Sequence, residues 1–113
     1  IPGDMEWITA HYKGSEVLAF VNDSGDDNYL IMHDGVLKSV YFRVSRKGTT
    51  WKETCYPLPK GTTVPSNVLD SLHADYPDFT YTEVSILETP DGIVYLFTDG
   101  NSPDRLGHYV EAN

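Results

Sequence analysis

The chain has 113 residues, a length that favours one domain, and its 40% hydrophobic residues and eight tyrosines exclude a disordered protein. Eight Lys and Arg residues against seventeen Asp and Glu residues give a formal charge of −9, which argues against a nucleic-acid or anionic-membrane partner, because both are met by basic clusters. The single cysteine excludes an internal disulfide, and no apolar run approaches the ~18 residues of a membrane span.

Five strands are predicted in the first half of the chain, because short runs of apolar and aromatic residues alternate with turn residues. Residues 16–22 are apolar on both parities, which is typical of a central strand covered on both faces. Asp34-Gly35 is a strong hairpin signal between two of the runs. The predicted strands are residues 5–12, 16–22, 28–33, 38–44 and 49–56.

One helix is predicted at residues 64–78. Pro65 suits the first helical position, and Thr63 is a candidate cap before it, with Ser66 and Asn67 as alternatives. Pro77 disfavours helix at the preceding residue and ends the element. The apolar stripe consists of Val64, Val68, Leu69, Leu72 and Tyr76. A helix of this length is unstable alone in water and has to pack on neighbouring strands.

Three further strands follow, at residues 79–88, 93–98 and 106–111. Strands grouped into antiparallel hairpins, with the helix segregated from them, predict an α+β domain over residues 1–113: an antiparallel β-sheet with one α-helix packed on a face. A similar rhythm of strand, glycine turn, apolar strand and acidic loop recurs in both halves. It suggests a degenerate tandem repeat of about residues 4–56 and 64–113.

The stretch V-Y-F-R-V-S-R-K-G-T-T-W, followed by L-P-K-G-T-T-V-P and a helix that ends in Y-P-D, resembles the PepSY-like proteins exported by Bacteroides-type bacteria. The matching residues are Val40, Tyr41, Phe42, Gly48, Trp51, Leu58, Pro59, Val64, Pro65, Leu72, Tyr76 and Pro77. They are turn and core residues over roughly residues 37–97, about half of the chain. A usual family member also has a helix before its first strands, which this sequence is not predicted to have.

The resemblance implies a fold like that of beta-lactamase inhibitor protein, a periplasmic, cell-surface or secreted location, and a binding or inhibitory role towards an unknown protein partner. The chain begins Ile-Pro-Gly, and no signal peptide is visible. We therefore expect a processed protein whose leader has been removed.

The sequence motifs of common enzymes, such as G-x-S-x-G, H-E-x-x-H and the P-loop, do not occur, so we do not expect an enzyme. A hydrolase whose residues meet only in space is the least favoured class. Its only conceivable nucleophile pair is Cys55 with one of the four scattered histidines, His11, His33, His73 and His108. Because Cys55 shares a strand parity with Trp51, a small core residue is the preferred interpretation.

An acidic turn contains Asp23, Asp26 and Asp27, with Gly25 permitting a tight bend. Calcium takes six to eight oxygen ligands, and such a turn could supply some of them, so a calcium-responsive envelope protein is the alternative function. The spacing does not fit an EF-hand, and a solvated turn without cofactor or metal is preferred. A weaker acidic set is Asp99, Asn101 and Asp104.

Aromatic residues on the predicted strands supply the candidate binding site. Exposed Trp and Tyr on a sheet are common at recognition surfaces, although each can instead pack against the helix. Tyr41 opposes the apolar parity of its strand and is the best candidate for an exposed ring. We therefore predict a non-enzymatic, exported binding or inhibitor-like module, with Tyr41, Trp51 and Trp7 as candidate binding residues.

Overall fold

A computed structural model describes residues 2–112, which form two helices and seven strands. They divide into two compact units, Ile1–Tyr56 and Pro57–Asn113, called here the N-terminal and C-terminal units. The class is α+β with antiparallel strands, but two helices are present where one was predicted. Whether the two units descend from one duplicated unit stays a prediction. Neither helix exceeds ten residues, and neither is long and apolar enough to cross a membrane.

The N-terminal unit begins with a helix and continues as four strands, each antiparallel to the next. The elements are α1 (Pro2–His11), β1 (Glu16–Asp23), β2 (Asp26–His33), β3 (Val36–Ser45) and β4 (Gly48–Pro57). Asp34 and Gly35 connect β2 to β3 with φ of 51° and 76°. Positive φ at both turn positions is the geometry that the Asp-Gly pair predicts.

The core of this unit lies where α1 meets the strands. Its buried members are Ile8, Tyr12, Tyr29, Ile31, Val40 and Phe42. In β2 and β3 the buried residues alternate with more exposed ones, so one face contacts α1, and we call the opposite face the open face.

The prediction of a strand at residues 5–12 was wrong, because residues 5–11 belong to α1 and Tyr12 directly follows it. Asp4, Ile8 and Tyr12 are buried at a spacing of four residues, which is one face of a helix. The sequence pattern did not predict this helix, because one of the three residues on its buried face carries a carboxylate. A helix therefore precedes the first strands after all.

The prediction that residues 16–22 form a covered central strand was also wrong. In the described part of the chain, β1 is an edge strand that pairs only with β2, and all eight of its residues are exposed. Apolar residues on both parities are typical of a strand buried on two faces. In β1 they face solvent instead.

The C-terminal unit consists of α2 (Ser66–Asp75), β5 (Glu83–Thr89), β6 (Gly92–Thr98) and β7 (Gly107–Glu111), with adjacent strands antiparallel. Its buried core consists of Val68, Leu72, Phe97 and Val110. Pro65 is the N-cap rather than the first helical residue, and its carbonyl oxygen accepts the amides of Val68 and Leu69. Because the N-cap position is occupied by Pro65, which makes no side-chain cap hydrogen bond, the predicted Thr63 cap is wrong. Tyr76, predicted on the apolar face, is 42% exposed.

Candidate binding surface

Two of the predicted binding residues, Trp7 and Trp51, meet on the face that carries α1. Their rings stack with centroids 4.6 Å apart, and His11 stacks on the other side of Trp7 at 3.9 Å. The Trp51 indole N–H donates to Oγ1 of Thr54 at 3.0 Å, and Trp7 lies edge-on to the buried ring of Phe42. Both tryptophans are partly buried. The stacked tryptophans fix α1 to β4. Both rings therefore pack against neighbouring elements, which is the alternative to an exposed binding role.

Tyr41 lies on the open face, as its parity predicted, but is partly buried rather than fully exposed. It stands opposite Asn28 on β2 and Glu53 on β4. Arg43 Nη2 donates to its hydroxyl at 3.0 Å, and Arg43 Nε lies 3.5 Å from Oδ1 of Asp26. The guanidinium of Arg43 therefore holds the Tyr41 side chain in place. The structure brings Trp7 and Trp51 together and leaves Tyr41 on the opposite face.

A β-bulge decides these placements. Tyr41 pairs with Glu53, while the next residue, Phe42, pairs with Trp51, so Lys52 is the extra residue of β4. The bulge turns Trp51 towards α1 and Cys55 towards the open face. The inference that Cys55 shares a face with Trp51 was therefore wrong. Burial, with the Glu53 carboxylate as a smaller cause, raises the pKa of the Cys55 thiol and lowers its reactivity.

The open face of the N-terminal unit carries a set of apolar side chains. Met32 and Leu37 stand opposite each other, 37% and 43% exposed, and Leu30 lies in the next row. That row runs Ala19, Leu30, Ser39, Cys55 across the four strands. Because Ala19 and Ser39 are small, a depression of about 230 Å³ forms beside Leu30. An exposed apolar pair with a depression one row away is the kind of surface that partners cover.

A buried acidic pair lies on the other face and was not predicted. Asp4 of α1 and Asp27 of β2 are fully buried. Tyr29 donates its hydroxyl to Oδ2 of Asp4 at 2.9 Å, and Asn22 Nδ2 donates to Oδ1 of Asp27 at 2.6 Å. With both carboxyl groups ionised, no donor among residues 2–112 bonds to Asp4 Oδ1 or Asp27 Oδ2.

Two buried carboxyl groups side by side retain a proton more readily than a solvated one. Burial raises the pKa of Asp4, and the hydrogen bond with Asp27 raises it further, while the bonds from Tyr29 and Thr49 act in the opposite direction. Burial and the Asp4 bond also raise the pKa of Tyr29. The available sequence signal was that Asp27 shares a strand parity with Tyr29 and Ile31, which placed it towards the core.

Lys38, which is 8% exposed, lies in a second cluster of polar and aromatic side chains that was not predicted. Lys38 Nζ donates to His33 Nδ1 at 2.9 Å and lies over the rings of Tyr12 and Tyr56 at 5.1 and 4.7 Å. Because His33 Nδ1 accepts, its proton is on Nε2, which lies 3.6 Å from Oδ2 of Asp34. Cation–π contacts and the imidazole compensate the buried ammonium. Val36 and Val40, which share the strand parity of Lys38, were the sequence signal for its burial.

The acidic turn does not bring its three carboxylates together. Asp23 pairs with Asp26 across the β1–β2 turn, and Asp26 also approaches Arg43. Asp27 has the opposite parity and is buried beside Asp4. Within residues 2–112, no three His, Cys, Asp or Glu side chains are grouped so as to hold a metal ion. In the second acidic set, an oxygen of Asp99 accepts the amide of Asn101 at 2.9 Å.

Comparisons with known proteins add a likeness of fold. A scan against protein-family models and a search of curated proteins found no match. Among solved structures, the chain is similar to a BLIP-like protein from Bacteroides fragilis, with a TM-score of 0.67 and 19% sequence identity. The similarity covers 87% of this chain and 70% of that chain. At this identity the match shows the fold alone, so the chain has a BLIP-like fold, and membership of the PepSY-like family stays a prediction.

Proposed function

We propose that this protein is a non-enzymatic, exported binding module, inhibitor-like in its action, and that it holds a protein partner on the open face of its N-terminal unit. The observation that carries the proposal is the exposed apolar pair Met32 and Leu37, next to the depression beside Leu30. α1 contributes to the core on the opposite face. Apolar contacts near the centre of an interface, with a polar rim, are the usual basis of protein association.

The BLIP-like fold supports an inhibitor-like action, because that fold name refers to an inhibitor protein. Tyr41 suits the edge of such a surface, since a tyrosine held by Arg43 presents a ring at little entropic cost. Trp7 and Trp51 contribute indirectly by fixing α1 to β4.

The chemistry of the reactive side chains supports a non-enzymatic role. Burial raises the pKa of Cys55, which lowers its thiolate fraction. Lys38 Nζ donates to His33 Nδ1 and lies over the rings of Tyr12 and Tyr56, so both side chains are engaged within the unit. The exported location and the PepSY-like assignment are supported by the turn and core residues that match that family, from Val40 to Pro77.

Affinity capture from the envelope and secreted fractions of the source cells tests the proposal, followed by inhibition assays on each captured enzyme, β-lactamases and peptidases included. Leu37→Asp places a charge on the open face, and Met5→Asp, at the 38% exposed Met5 of α1, is the matched control. We expect Leu37→Asp to abolish capture and Met5→Asp to retain it. Equal capture by both variants would contradict the assignment of the face, and turnover of a substrate by the purified protein would contradict the non-enzymatic role.

A further inference from the structure

The strand β1 offers a second kind of contact, through its backbone. Among residues 2–112 it is the last strand of its sheet and pairs only with β2, so every second N–H and C=O group along its outer side lacks a strand partner there. All eight residues are exposed, with Leu18, Phe20 and Val21 at 48%, 47% and 59%. Such an edge is a template for another extended chain.

Protective features of edge strands are few in β1. Natural edges carry lysines, prolines or bulges that prevent further pairing. β1 reads E-V-L-A-F-V-N-D and contains no Lys, Arg or Pro. Its one irregularity lies between Val17 and Ala19, and residues 19–23 then pair one for one with β2. The regular part of the edge is therefore open to a strand of matching length.

The depression on the open face adjoins this edge. Ala19, Phe20 and Val21 line it from β1, together with Leu30 and Ser39 from the next two strands. When an extended chain adds to a sheet edge, main-chain hydrogen bonds provide affinity and pockets for alternate side chains provide specificity. An apolar side chain of the added strand would enter the depression at Ala19.

The charges at the two ends of β1 indicate the chemistry of the strand that would pair with it. The apolar middle of β1 is flanked by exposed carboxylates, Glu16 at one end and Asp23 at the other. A second copy, paired antiparallel about the middle of β1, would place Glu16 opposite the other copy's Asp23 at both ends. Like charges directly opposite are destabilising, and each copy carries a formal charge of −9. A strand of opposite charge pattern avoids both costs.

We propose that β1 binds, by strand addition, an extended segment of another protein that has an apolar middle and lysine or arginine at both ends. This inference rests on the proposed binding function and names the chemistry of the partner. It can fail alone: if envelope capture depends on Leu37 while β1 binds no such segment, only the strand-addition proposal falls.

The probe is a fluorescent synthetic peptide of alternating valine and threonine with two lysines at each end, measured by anisotropy. One control peptide has glutamates in place of the lysines, and another keeps the lysines but has N-methyl groups on alternate central residues. We expect the parent peptide to bind at least about tenfold more tightly than either control. Equal binding of the N-methylated peptide would reduce the effect to charge attraction and overturn the proposal.

Protein variants locate the contact. Val21→Lys places a cation on the outer strand, and Met5→Lys adds the same charge on α1, where Met5 is 38% exposed. We expect Val21→Lys to weaken binding of the lysine peptide about tenfold or more and Met5→Lys to leave it within about twofold. Equal effects of the two variants would overturn the assignment to β1. A parent dimer in sedimentation equilibrium that Val21→Lys dissociates would also overturn it, in favour of a second copy.

Discussion

The buried pair Asp4 and Asp27 permits a prediction in which one substitution stabilises the protein. Asp27→Asn retains Oδ1, which accepts the bond from Asn22, and replaces the unpartnered Oδ2 by an amide nitrogen. The new N–H can donate to the Asp4 carboxylate, because the side chains of residues 4 and 27 lie within hydrogen-bonding reach of each other. A net hydrogen bond contributes about 0.5–1.5 kcal/mol and an unsatisfied buried group costs about 1–3 kcal/mol, so we expect a gain of about 1–3 kcal/mol at neutral pH.

The gain depends on pH in a definite direction. The pKa of Asp4 is raised from its usual 3.8, so the native state binds this proton more tightly than the unfolded state. The resulting stabilisation is fully present below 3.8 and is lost as the pH rises through the folded-state pKa. Asp27→Asn removes the neighbouring carboxyl group that contributes to this rise. The stability difference between variant and parent is therefore small near about pH 4 and largest near about pH 7.

Urea unfolding followed by tryptophan fluorescence measures this, because Trp7 and Trp51 both lie in the N-terminal unit. Asp70→Asn on the exposed face of α2 is the matched control, since it removes the same charge from solvent. A variant less stable than the parent at neutral pH would refute the reasoning. So would a difference between Asp27→Asn and parent that follows the pH dependence of Asp70→Asn.

Three further predictions concern the helix, the cysteine and calcium. Leu72→Ala removes a fully buried side chain and is expected to lower the free energy of unfolding by ~2–5 kcal/mol, whereas His73→Ala, at an exposed position, is expected to lower it little. Equal melting temperatures of the two variants would contradict the assignment of the faces of α2. Cys55 is expected to react with a thiol reagent more slowly than a free cysteine below about pH 8, because burial raises its pKa, and rapid labelling would contradict its environment. Millimolar calcium is expected to raise the melting temperature no more than magnesium does; a calcium-selective rise that Asp26→Asn removes would revive the calcium-responsive alternative.

The parts of the fold that follow from local sequence were predictable. Asp34-Gly35 adopts the positive φ angles that its residue types favour, and the spacing of Val68 and Leu72 placed both on the buried side of α2. α1 was missed because Asp4 occupies its buried stripe, and an acidic residue lowers the contrast between helix faces. Its burial depends on Asp27 and Tyr29, which are distant in sequence.

The candidate surface was less predictable, because register and exposure depend on tertiary structure. Parity placed Tyr41 correctly on the face opposite Val40 and Phe42. Because Lys52 is an extra residue in β4, Trp51 and Cys55 lie on opposite faces although they share a sequence parity. The local sequence does not predict such a bulge. β1 has the composition of a buried strand but is exposed, because position in a sheet is set by strand order and not by composition.

A photo-crosslinking amino acid placed at residue 37 tests most directly whether the open face binds a partner, with residue 5 on α1 as the control position. Both side chains are exposed to a similar extent, 43% for Leu37 and 38% for Met5. In the envelope fraction of the source cells, we predict one saturable crosslinked protein from position 37, displaced by excess unlabelled parent, and none from position 5. The same crosslinked species from both positions, or from position 5 alone, would contradict the open face as the binding surface.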